Sequence, residues 1–216
     1  MKKALIFQGG WQGHEPAEVA HILSGVLEEE GFDVKITDTL KTLEEDDLTK
    51  YDLIVPNWTQ GTIEKEALQA LMTAIEQGTG LAGLHGGMGD SFRFETDYQF
   101  MVGGQWVAHP GNDGITYNVH ILDADHPLTE GMKDFTVTSE QYYMHVDPAV
   151  KVHATTRFPV ASGPYEANGE VDMPVIWTKM WGEGKVYYCS LGHVAEIVRM
   201  PEVIELMRNG MKWASR

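Results

Sequence analysis

From Lys3 to Leu84 the sequence alternates short apolar runs with amphipathic helical stretches, and this alternation restricts the chain to a narrow set of folds. Lys3 to Gln8 reads as a buried strand. Glu15 to Glu30 reads as a helix, with Val19, Ile22, Leu23, Val26 and Leu27 at helical spacing, Pro16 in its first turn and Gly31 at its end. Asp33 to Thr37 and Asp52 to Asn57 follow as strands. A second helix opens near Thr62, carries Leu68, Leu71, Met72 and Ile75 on one face and stops at Gly78. Gly80 to Leu84 supplies a fourth strand. Short connections fold such a chain into an α/β structure with a mainly parallel sheet covered on both faces, and ligands of such sheets gather at the carboxyl ends of the strands. The loops after Gln8, Pro56 and Leu84 are selected.

Beyond Leu84 the pattern is less regular. Ile115 to Leu122, Thr136 to Thr138, Val150 to Thr156, Val175 to Thr178 and Lys185 to Ser190 read as strands, with Trp181 to Gly184 as a turn. Pro201 opens a terminal helix with Val203, Ile204, Met207 and Met211 on one side. No repeat or low-complexity tract interrupts the chain, and Glu44 to Asp47 reads as a solvated loop or helix start. One domain over residues 1–216 is expected.

Acidic residues number 32 against 16 basic ones, a formal charge of -16 that repels phosphate backbones and anionic lipid, so no nucleic acid and no membrane is expected as a partner. The apolar run at the start ends at Gln8-Gly9-Gly10, too soon for a targeting segment. The single cysteine, Cys189, lies in an apolar run where a buried inert thiol is expected, and a cytoplasmic setting fits best.

The chemistry concentrates on histidine. His85 follows Gly83-Leu84 and precedes Gly86-Gly87, so it stands on a tight strand-to-helix turn of the kind that lifts a nucleophile clear of a sheet edge. An imidazole there disfavours covalent acyl chemistry and points to acid/base work or metal binding. His14, His109, His145 and His193 also sit in loops beside glycine or proline or at strand ends. Gly9 to Glu15 lacks the dinucleotide fingerprint; it reads either as a polar substrate loop with Trp11 as a stacking wall or as a plain tight turn. Ser139 to His145 packs Glu140, Tyr142, Tyr143 and His145 together, enough for a proton donor, a base and a sugar-stacking surface, or for an ordinary two-faced strand. Histidine and carboxylate permit a divalent metal such as Zn, although no short metal-binding spacing occurs.

These segments together resemble the ThuA-like (trehalose utilisation) family, whose fold is that of class I glutamine amidotransferase domains, a flavodoxin-like three-layer sandwich. The resemblance rests on Gly9-Gly10 to His14-Glu15, Gly83 to Gly87, Val102 to Pro110, His126 to Gly131, Glu140-Gln141-Tyr142, Pro174 to Trp177 and Gly184 to His193. It implies that His85 replaces the amidotransferase cysteine and that His193 lies near the retained base, which excludes glutamine hydrolysis by that route. The family shows Asp-Glu-x-Tyr where this chain has Ser139-Glu140-Gln141-Tyr142, so Glu140 and Tyr142 remain and the leading acid is lost.

The resemblance implies a carbohydrate substrate, an oxidised (keto) sugar or glycoside, and the residues suggest acid/base chemistry on it. His85, His193, Glu140 and Tyr142 are expected to be catalytic, and Trp11, His14, Gly86 and His109 to bind substrate. A non-catalytic sugar-binding domain and a metal-dependent glycoside or ester hydrolase stay open. Trp106, Tyr142, Tyr143 and Trp177 would permit a face for a homo-oligomer.

Overall fold

The computed structural model describes residues 1–216. In chain order the elements are β1 (Lys3–Gly10), α1 (Pro16–Glu29), β2 (Asp33–Thr37), α2 (Thr42–Glu45), β3 (Leu53–Thr59), α3 (Lys65–Glu76), β4 (Gly80–Leu84) and α4 (His85–Gly89). They continue with α5 (Thr96–Val102), β5 (Gly104–Ala108), β6 (Ile115–Ile121), β7 (Phe135–Ser139), β8 (Tyr143–Val146), β9 (Lys151–Phe158), β10 (Val171–Trp181), β11 (Gly184–Cys189), α6 (Ala195–Val198) and α7 (Pro201–Ala214).

A single sheet of nine strands, ordered β2-β1-β3-β4-β11-β10-β9-β6-β7, draws on both halves of the chain. Alternation along its strands sorts side chains into two cores. Ala4 and Ile6 of β1 pack with Val19, Leu23 and Leu27 of α1 and Val203, Met207 and Met211 of α7. Leu5 and Phe7 of the same strand pack on the other face with Leu68, Leu71 and Ile75 of α3 and Met101 of α5. Each such side chain larger than alanine, fully withdrawn from water, contributes ~1.5–3 kcal/mol before ordering costs. A strand apolar on both faces must be covered on both, which is why the first strand reads as a continuous apolar run.

The expected mainly parallel sheet is corrected to a mixed one. β2, β1, β3, β4 and β11 run parallel, whereas β11–β10, β10–β9, β9–β6 and β6–β7 pair antiparallel. The turn read at Trp181 to Gly184 joins β10 to β11 with Trp181 opposite Gly184, and a hairpin reverses direction by necessity. A small antiparallel pair, β5 with β8, stands apart from the main sheet.

Two local expectations also change. Gly9 and Gly10 belong to β1, and the close approach they allow is to the neighbouring strand: a Cβ at Gly9 would lie 2.5 Å from the Trp58 ring and one at Gly10 would lie 2.0 Å from the Thr59 carbonyl oxygen. Nor do the four aromatics form an outer face. Trp177 is wholly buried and donates its indole N–H to the Val102 carbonyl oxygen, and Tyr142 is buried as well. Cys189 is buried, and burial pushes its thiol up to about 12, which leaves it inert at neutral pH. No helix is long and apolar enough to cross a membrane.

Candidate functional site

The carboxyl ends of β1, β4 and β11 and the connection from β7 to β8 bring four side chains together. His14 ends a single helical turn after β1, and His193 follows β11. His85 is the first residue of α4, and Glu140 lies between β7 and β8. His85 Nε2 is 3.2 Å and His193 Nδ1 is 3.3 Å from the same Glu140 oxygen, Oε2. The other carboxylate oxygen faces His109 Nε2 at 3.7 Å. The His14 ring centroid lies 4.8 Å from that of His85 and 5.1 Å from that of His193.

Backbone geometry places His85. Its φ of 44° is in the left-handed region, which costs a non-glycine residue ~1–3 kcal/mol and is tolerated where the surroundings over-determine it. Here the Tyr188 hydroxyl donates to the His85 carbonyl oxygen at 3.0 Å, and His85 Nδ1 bonds the Ser190 carbonyl oxygen at 2.8 Å. Tyr142 stacks on the ring at 3.8 Å between centroids. The expected elbow is therefore present, with an imidazole on it.

Gly86 acts by clearance. It is buried, does not line the cavity, and a Cβ there would come within 2.6 Å of His14 Cε1 and 3.0 Å of the Tyr142 hydroxyl. His14 is in turn fixed by a 2.8 Å contact between its Nδ1 and Thr59 Oγ1.

Burial and mutual repulsion set the protonation states. Burial, reinforced by the neighbouring His85 and His193, lowers His14 to about 3, so it stays neutral. Burial also lowers His85 despite the Glu140 contact. For His193 burial is outweighed by the Glu140 carboxylate, which raises it. Burial alone would raise Glu140, but the imidazoles of His193 and His85 beside it outweigh burial and hold the carboxyl well below its usual range.

Above this cluster lies a cavity of about 230 Å³ lined by Trp11, His14, Thr59, Gln60, Asp90, Trp106, His109, Glu140 and Tyr142. It is below the roughly 300–1,000 Å³ of pockets for drug-sized ligands and suits a single ring. Trp11, half exposed, stands at its edge. His85 and His193 do not line it. They sit behind Glu140 and Tyr142, so the two expected catalytic imidazoles reach a ligand only through what they hold. His145 is exposed on β8 and takes no part.

Asp90, Thr59, Gln60 and Trp106 were not among the candidates read from the sequence. Asp90 is buried, and burial raises its carboxyl above the ordinary value despite an ion pair with Arg93. Arg93 also lies over the Trp106 ring, 5.1 Å from its centroid, and donates to the Trp106 carbonyl oxygen at 3.0 Å. The available signal was position: Asp90 follows the glycine turn that carries His85, three residues before an arginine.

The family described as ThuA, trehalose utilisation, matches residues 3–214, and the chain belongs to it. The fold is similar to that of a ThuA-like protein from Bacteroides uniformis, at 19% identity and TM-score 0.78 over 99% of this chain and 91% of that one. A cytoplasmic protein from Salmonella typhimurium LT2 is similar at 12% identity and TM-score 0.69, over 99% of this chain and 100% of that one. A β-galactosidase from Bacillus circulans sp. alkalophilus contains the same fold within 31% of its length, at TM-score 0.64 and 12% identity over 99% of this chain. None of the curated proteins matches the chain. The family description ties the chain to a carbohydrate-related role.

Proposed function

We propose that this chain is an enzyme of carbohydrate catabolism that acts on an oxidised (keto) sugar or glycoside by acid/base chemistry in the cavity over Glu140. The observation that carries the reading is the convergence of Glu140, His14, His85 and His193 beneath a ring-sized, Trp-walled cavity at the strand ends of a trehalose-utilisation family chain. Aromatic walls with a few fixed polar groups are how proteins hold sugar rings. Strand order and helices on both faces support the flavodoxin-like, class I glutamine amidotransferase-like description of the parallel half. A cytoplasmic setting is part of the same reading.

A carbonyl on the ring acidifies the neighbouring C–H. The proton passes to the Glu140–His109 pair, the electrons move onto the carbonyl oxygen as an enediolate, and reprotonation at carbon, or loss of a leaving group from the next carbon, completes the reaction. Tyr142 and Asp90 are the hydroxyl and the carboxyl on the wall that stabilise the developing oxyanion. The raised Asp90 suits a proton donor. His85 and His193 are positioning residues that fix Glu140. Incubation with 3-oxo-trehalose, followed by proton NMR, tests the reading. Appearance of a new product supports it, and saturable binding without product or isotope exchange supports a sugar-binding domain instead.

A further inference from the structure

We infer that His14, His85, Glu140 and His193 form a binding site for a first-row divalent transition cation such as Zn²⁺. One ligand atom from each lies within 4.8 Å of all the others, and all four residues are more than nine-tenths buried. A tetrahedral Zn site with arms of ~2.0–2.1 Å has ligand atoms about 3.3–3.4 Å apart. The His85 and His193 contacts to Glu140 Oε2, at 3.2 Å and 3.3 Å, match that spacing.

The hydrogen-bonding pattern points the same way. The Ser190 carbonyl oxygen can only accept, so His85 Nδ1 carries the hydrogen of that 2.8 Å bond. The neutral ring then turns the Nε2 lone pair toward a carboxylate oxygen at 3.2 Å, two electron-rich atoms face to face in a buried place. A cation between them makes both into ligands. His193 Nδ1 is likewise buried with no hydrogen-bond partner, 3.3 Å from the same oxygen. The outer nitrogens are already engaged: His85 Nδ1 by Ser190, and His14 Nδ1 by Thr59 Oγ1 at 2.8 Å. Such outer contacts orient metal-binding imidazoles in known sites. Three imidazoles and one carboxylate favour zinc, iron, cobalt or nickel over magnesium or calcium.

What the cation would do rests on the proposed function: beside the cavity it would expand its shell to take a ligand carbonyl as a fifth donor and polarise it as a Lewis acid. Binding itself is tested independently. The full-length protein, stripped with chelator and dialysed, is titrated calorimetrically with Zn²⁺, and Co²⁺ is added in parallel for its visible spectrum. One equivalent of Zn²⁺ and a Co²⁺ ligand-field band are expected. Glu140→Gln and His193→Ala should lose both, with folding checked by circular dichroism. Thr59→Val keeps all four ligands and should weaken binding by about 10–100-fold. His120→Ala removes one half of the exposed His120–Asp134 pair, which is no part of the four-ligand cluster, and should change nothing. Absence of stoichiometric binding, or equal binding by Glu140→Gln and His193→Ala, would overturn the inference. Zn²⁺ binding without turnover of 3-oxo-trehalose would uphold the metal site and contradict the reaction. Chelator-insensitive turnover by a protein that binds no Zn²⁺ would do the reverse.

Discussion

His85 and Ser190 stand 105 residues apart and are joined by a 2.8 Å hydrogen bond between the imidazole Nδ1 and the Ser190 carbonyl oxygen. The contact ties the end of β4 to the end of β11 and dictates which ring nitrogen meets Glu140. Because the acceptor is backbone, no side-chain substitution at Ser190 removes it. The ring is therefore held by the sheet itself.

Gly86→Ala tests the clearance argument. Its Cβ would meet the His14 ring at 2.6 Å in a buried turn, so His14 or Tyr142 must shift. We expect a loss of ~1–3 kcal/mol in stability, typical of overpacking, together with a large fall in turnover. Thermal unfolding and product formation measured on the same preparation check both.

Trp11 is half exposed, and its ring meets His14 edge-on at 4.7 Å between centroids. If it forms a wall for the sugar ring, Trp11→Ala raises KM, leaves kcat within a few-fold and leaves Tm unchanged. A fall in kcat at constant KM would remove Trp11 from substrate binding.

Asp90→Asn keeps shape and removes a titrating group whose carboxyl is raised by burial. If Asp90 donates a proton, activity is lost as pH rises through its pKa, and the variant should lose that limb of the pH profile for kcat/KM. An unchanged profile would assign Asp90 only to holding Arg93.

A stability effect is expected far from the cavity. Burial, with His126 alongside, lowers His153 to about 4, and its Nε2 bonds Thr178 Oγ1 at 2.9 Å. Between an unfolded value of ~6.5 and about 4 the unfolded chain binds the extra proton, so stability must fall as pH falls through that window. His153→Gln should flatten this part of the acid unfolding curve, measured with chelator present.

Much of the site was legible because the architecture assigns it. The apolar runs of β1, β3 and β4 selected three loops, and His14, Gln60 and His85 stand in or beside them. Less was legible where contacts are remote. Asp90 looks like an ordinary turn residue until β5 brings Trp106 and His109 over it. β10 extends back to Val171 through Pro174, a residue that argues against a central strand, and the register shift between Pro174 and Ile176 absorbs it. Nor could spacing show that His85 and His193 lie behind Glu140 rather than beside it, since depth in a cavity is set by side-chain packing.

The most direct test of the account follows the proton next to the carbonyl of 3-oxo-trehalose by NMR in deuterated buffer, with the wild-type chain, Glu140→Gln and His109→Asn. The account predicts loss of that signal with wild type, slowed by about 10²–10⁴-fold in both variants, the usual contribution of general acid/base groups. An unchanged signal with wild type, or equal rates in all three proteins, would contradict it.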